Sequence, residues 1–158
     1  MNMSLKDWLR NSWLVEHQTS PEEIRDLLEI MDRDLADCKT PDLSTHWRFS
    51  IAYNAALQAA KAALAASGYR AAREAHHYRV IQSLSYTIKA DQSLIHRLDH
   101  FRKKRNIGGY TRAGIVSDAE ADEIFDLAKR LRTDVEQWLR KNHPQLLRDE
   151  SLSSPRSS

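Results

Sequence analysis

Apolar residues recur in this chain at three- and four-residue intervals over most of its length, the spacing of one face of an α-helix. Leu5, Trp8, Leu9 and Trp13 form the first stripe, short and rich in tryptophan. It predicts an amphipathic helix that lies either on its own domain or on a partner. Ile24, Leu27, Leu28, Met31, Leu35 and Cys38 form the second. Thr19-Ser20-Pro21-Glu22-Glu23 stands at its head: a hydroxyl cap, a proline in the first turn, then acids near the positive end of the helix. This helix is expected to run to about Cys38 and to stop before Pro41.

A third helix is predicted from a start around Asp42 to Thr45 as far as Ser67, with Gly68 as its C-terminal stop. Its polar residues Ser50, Asn54, Gln58 and Lys61 fall in one narrow sector, and nearly everything else is aromatic, aliphatic or alanine. A helix apolar around most of its circumference belongs at the centre of a fold. Ala52, Ala55, Ala56, Ala59, Ala60, Ala62 and Ala63 let its neighbours approach closely. The next helix, about Ala71 to Lys89, sets His77, Ile81, Leu84 and Ile88 on one face, and another carries Leu94, Leu98 and Phe101 and closes at Arg105. Ser117 or Asp118 caps a last long helix bearing Ile124, Leu127, Ala128, Leu131, Val135, Trp138 and Leu139, which Pro144 helps to end.

These elements specify an all-α protein: an antiparallel bundle of four to five core helices preceded by a short amphipathic helix. One domain is expected over residues 1–147, with 1–20 as N-terminal helix and linker and 148–158 as a disordered polar tail. Scarce glycine and proline agree with a helical class. The 24 basic and 22 acidic residues nearly cancel, so only local clustering of charge can mark a nucleic-acid surface. Cys38 is the single cysteine, which excludes an intramolecular disulfide and a cysteine-based zinc site; its register is that of a small buried thiol. No stretch is apolar enough for a signal peptide or a membrane span, so the cytoplasm is the expected compartment.

The most informative stretch is Arg102-Lys103-Lys104-Arg105-Asn106-Ile107-Gly108-Gly109-Tyr110. Leu94, Leu98, Phe101 and Arg105 follow at i, i+4, i+7 and i+11, so Arg105 occupies the next core position of an apolar stripe. A guanidinium cannot be neutralised, and at such a position it either snorkels out at the helix end or meets a polar partner. His77, which shares a face with Ile81 and Leu84, is either a hydrogen-bonded core histidine or part of a polar pocket with Arg105. Gly68-Tyr69-Arg70 places a helix stop, an aromatic and a further cation shortly before it. His96 and His100 are i, i+4 neighbours, but they lie with Lys103 opposite the apolar face and lack carboxylates to complete a metal site. No nucleotide loop, serine–histidine–acid order or zinc signature is present, and no cofactor is expected.

The arrangement from about Pro21 to Leu147 resembles the HEPN domain, an all-helical family found in many prokaryotic toxin–antitoxin and defence loci. The likeness rests on Ala52-Tyr53-Asn54-Ala55-Ala56-Leu57-Gln58-Ala59-Ala60 leading to Gly68-Tyr69-Arg70, and above all on Arg105-Asn106 followed by Tyr110. The resemblance implies a helical bundle that dimerises. Active HEPN members are metal-independent ribonucleases that use an arginine, a polar residue just after it and a histidine a few residues further on. Arg105 and Asn106 match; the histidine does not, since none occurs between Arg105 and His143 and Tyr110 stands in its place. A tyrosine is a poor general base at neutral pH, although it can bind phosphate or donate a proton. The resemblance thus implies a homodimer that binds RNA or a nucleotide through Arg105, Asn106 and Tyr110, with weak or no cleavage; placement along the chain adds His77, Arg70 and Arg102 as candidate binding residues. It also implies a nucleotidyltransferase as a partner protein, with Tyr110 as the acceptor of adenylylation. An active ribonuclease toxin and a non-catalytic helical adaptor remain as alternatives.

Overall fold

The structure, a computed structural model, describes residues 3–108 and 116–148. Its elements run α1 (Leu5–Arg10), β1 (Leu14–Glu16), α2 (Pro21–Asp37), α3 (Thr45–Ala66), β2 (Tyr69–Ala71), α4 (His76–Gln82), α5 (Gln92–Gly108) and α6 (Asp118–Asn142). Short 3-10 turns at Ser83–Ser85 and Pro144–Leu147 complete it. The all-α bundle is observed, with one small ribbon of two strands added to it.

Local chemistry sets the helix boundaries. The Ser20 hydroxyl accepts from the Glu23 amide, Ser44 from Trp47, and Ser117 from Glu120, whose carboxylate returns to the Ser117 amide. Each cap satisfies an amide that the first helical turn leaves open, worth about 1 kcal/mol. Gly68 ends α3 at φ +99, a conformation that a side chain disfavours.

The core is organised around α3. Its alanines from Ala52 to Ala63 are buried, as are Phe49, Tyr53, Leu57 and Leu64. Its widest contact is with α6, which contributes Ile124, Ala128, Leu131, Val135 and Leu139, and its next is with α2. On the remaining side, α5 buries Leu94, Ile95, Leu98 and Phe101. Ion pairs at the rims tie α6 to its neighbours: Arg97 to Glu123 through two contacts of 2.6 Å, Arg132 to Asp32 at 2.8 and 2.9 Å, and Arg48 to Asp122 at 2.9 Å. Such exposed pairs contribute little each and act chiefly on alignment.

Three boundaries differ from the expectation. The helix expected over Ala71 to Lys89 is broken, because Tyr69–Ala71 pairs antiparallel with Leu14–Glu16 and α4 begins only at His76. Ala75 takes φ 54 to make that entry. The N-terminal helix stops at Arg10, and Trp13 lies beyond it on the way into β1. Trp8 is buried on the protein's own body, edge-on to Trp13 at 5.9 Å and to Tyr86 at 5.2 Å, with the Arg79 guanidinium 3.7 Å from the Trp13 ring centre. This segment therefore docks on its own domain. The helix expected to close at Arg105 continues to Gly108. Tyr110 and the tail over 149–158 lie outside the described residues, and Asn106 is described only in its backbone.

Overpacking α3 tests the assignment of its centre. Ala59 is fully buried, so Ala59→Leu is expected to destabilise the protein by about 1–3 kcal/mol, read as a lower urea midpoint with an unchanged m-value. A loss within about 0.5 kcal/mol is the size expected of a surface position and would count against it.

Candidate functional site

The candidate site lies where α3, α4 and α5 meet. Tyr53 stands on α3 with only 1 % of its surface exposed, and α4 is short and turned so that His77 faces it. The Tyr53 hydroxyl and His77 Nδ1 are 3.3 Å apart. Above them, on the last turns of α5, the Arg105 guanidinium lies 5.2 Å from the centre of the Tyr53 ring. Arg105 is exposed, so the apolar stripe of α5 ends at Phe101 and the next position is solvated. The cause is local: at the end of the core a guanidinium can cover an aromatic face while its charge stays in water.

Arg102 is half-buried and anchored, its Nε 2.7 Å from Asp99 and its guanidinium 5.3 Å from the Tyr78 ring centre. Arg70 is exposed on β2, paired in register with Val15. Lys103 is exposed with His96, as the spacing predicts, but His100 is half-buried and 3.6 Å from Glu120. Among the described residues no group of histidines, cysteines and carboxylates is arranged to hold a metal. No helix of the described residues is long and apolar enough to cross a membrane. The Cys38 thiol is buried 3.7 Å from the Arg48 carbonyl oxygen, and burial pushes it up to about 11, well out of reactive range.

Electrostatics joins these residues into one neighbourhood. Burial, then the positive charge of Arg105, with His76, Lys61 and Arg102 adding to it, brings the His77 pKa down to about 4. Burial pushes the Tyr53 hydroxyl up to about 12. At neutral pH the tyrosine is therefore the donor and neutral His77 the acceptor at Nδ1, which leaves the proton on Nε2. His76 is lowered by burial and by Lys61 and Arg70, and Lys61 is lowered by burial. Cations are thus gathered around two neutral imidazoles, an arrangement that attracts an anion. Arg105 has no carboxylate partner among the described residues.

The structure brings His77, Arg102 and Arg105 together, with Arg70 further along through His76. Sequence reasoning missed Tyr53 in this cluster and Lys61 beside it. Tyr53 lay inside the apolar arc and read as core, and only its polar hydroxyl signalled a second role. Lys61 was one of four polar residues on an otherwise apolar central helix, and a cation at such a position was the available signal.

The titration of His77 sets a pH dependence of stability. An unfolded chain takes up its proton near 6.5, the folded chain only near 4, so stability present above that window is lost as pH falls through it. His76 and His143 shift in the same direction. Arg105→Ala removes the second cause of the His77 shift and is expected to raise its midpoint, read from the imidazole resonances by NMR titration. An unchanged midpoint would place Arg105 outside this neighbourhood. Comparison with protein-family models, with curated proteins and with solved structures gives no match.

Proposed function

We propose that this chain is a HEPN-like protein that dimerises and binds RNA or a nucleotide phosphate at Arg105, with weak or no ribonuclease activity, within a toxin–antitoxin or defence system. The observation that carries the reading is the Arg105 guanidinium on the Tyr53 ring, beside neutral His77 and without a carboxylate partner among the described residues. A guanidinium offers paired donors that suit phosphate oxygens, and an aromatic face beneath it limits the positions it samples. Tyr53 and His77 hold one another, and Arg102 adds positive charge while Asp99 fixes its place.

Binding is favoured over cleavage on chemical grounds. A general base works best with a pKa near the working pH, and His77 near 4 with Nδ1 already engaged is a weak one. In this reading Asn106 and Tyr110 complete the phosphate contacts, the second protomer faces the first across the cleft, and a nucleotidyltransferase that modifies Tyr110 is the partner protein. The adaptor alternative is less favoured, because the Trp8 and Trp13 segment that it would dock on a partner packs on the protein's own body.

Arg105→Ala is expected to weaken binding of a short single-stranded RNA by about tenfold or more and to reduce the salt slope by about one. Lys103→Ala, on the solvated face of α5, is expected to have a smaller effect. Fluorescence anisotropy across a salt series measures both, and light scattering at micromolar concentration tests the dimer. Equal small losses from the two variants would mean general surface electrostatics and no defined site. Metal-independent RNA cleavage that disappears in Arg105→Ala would favour the ribonuclease alternative.

A further inference from the structure

A separate cavity of about 240 Å³ lies on the other side of His76, between α2, α3, α4 and the β-ribbon. His76 and His77 stand edge-on at 5.8 Å, so one imidazole faces Tyr53 and its neighbour lines this cavity. Leu27, Leu64, Ala65, Ala71 and Val80 give the cavity an aliphatic part of its wall beside polar residues such as Gln58. Lys61 also lines it, from the polar sector of the central helix. Lys61 is half-buried, and among the described residues no carboxylate lies within ion-pair distance of it. A partly desolvated ammonium without a counter-charge is unfavourable in an aliphatic wall, and a bound anion relieves that cost.

A carboxylate in the same lining limits what that anion can be. Glu23 lines the cavity, 2.8 Å from His17 Nε2 and 2.5 Å from the Thr19 hydroxyl. Burial opposes ionisation of Glu23, but those two hydrogen bonds outweigh it and hold the carboxylate charged. Arg70 stands exposed at the rim. With Lys61 and Arg70 against the one carboxylate of Glu23, the lining carries one net positive charge, which suits a monoanion better than a dianion. The volume lies below the range usual for drug-sized ligands, so it suits a body of about one ring.

We propose that this cavity binds a small organic carboxylate with a flat apolar body, the carboxylate meeting Lys61 and the body lying against Leu64, Ala65 and Val80. The site is distinct from the Arg105 cluster and does not depend on what that cluster binds.

Benzoate, its neutral counterpart benzamide and the dianion phenyl phosphate are the probes, titrated into the full chain and followed by NMR and calorimetry. Benzoate is expected to bind saturably at millimolar concentration, to shift the Lys61 and His76 resonances, and to bind at least about tenfold more tightly than benzamide. Lys61→Met removes the charge while keeping an aliphatic stem; it is expected to fold at least as stably and to lose benzoate affinity about tenfold or more. Lys61→Gln, similar in length and neutral, gives the same test should the methionine variant fail to fold. Arg105→Ala is expected to leave benzoate affinity unchanged, which separates this site from the phosphate reading. Absence of saturable benzoate binding, equal affinity in both Lys61 variants, or tighter binding of phenyl phosphate than of benzoate would overturn the proposal.

Discussion

Close packing of α2 and α6 against the alanine faces of α3 sets the spacing to which the other elements conform. Alanine favours the helix and adds little bulk, so axes can approach to the short end of the usual range of about 8–10 Å. The larger side chains then come from the partners: Ile24 and Met31 from α2, Ile124, Leu131 and Leu139 from α6. Where α3 carries bulk instead, at Phe49 and Tyr53, the neighbour is α5, and Phe101 meets Phe49 edge-on at 5.8 Å. The candidate site sits on this bulky side, with Arg105 lying over the ring of Tyr53.

The same constraint explains the polar sector of α3. A helix enclosed on nearly every side has little room for polar groups, and Ser50, Asn54, Gln58 and Lys61 share a single seam. At one point that seam is closed by a hydrogen bond of 2.9 Å from Asn54 to buried Asp34 on α2. Further along, Gln58 and Lys61 line the cavity, to which α2, α4 and the β-ribbon also contribute. A buried polar group with a partner stabilises a packing; one that faces a void invites a ligand.

Much of this fold was legible in the sequence. The caps at Ser20, Ser44 and Ser117 and the stop at Gly68 are local chemistry, and the stripes of α2, α3 and α6 are long enough for their period to show. What escaped was non-local. Strands of three residues are too short to display an alternation, and Tyr69–Ala71 becomes a strand only because Leu14–Glu16, far away in the chain, supplies the other edge. That pairing also broke the helix expected from Ala71 and turned His76 and His77 to different neighbours. Periodicity placed Arg105 in line with the core but carried no information on where the core ended. Lys61 stayed hidden because a polar seam on a central helix does not reveal which members find partners.

Two groups of cations among the described residues contrast with one another. Arg48, Arg97 and Arg132 each meet carboxylates on a neighbouring helix and so serve alignment. Arg105 and Lys61 instead face an aromatic ring and a cavity, and both depress the neighbouring histidine His77. A histidine held neutral by burial and by nearby cations is suited to donating a hydrogen bond to an incoming anion, and poorly suited to taking a proton from a substrate hydroxyl. Anion binding would partly cancel the field that keeps its pKa low, so the ring would gain basicity only in the complex. An anion bound beside Arg105 would therefore be coupled to the proton affinity of His77.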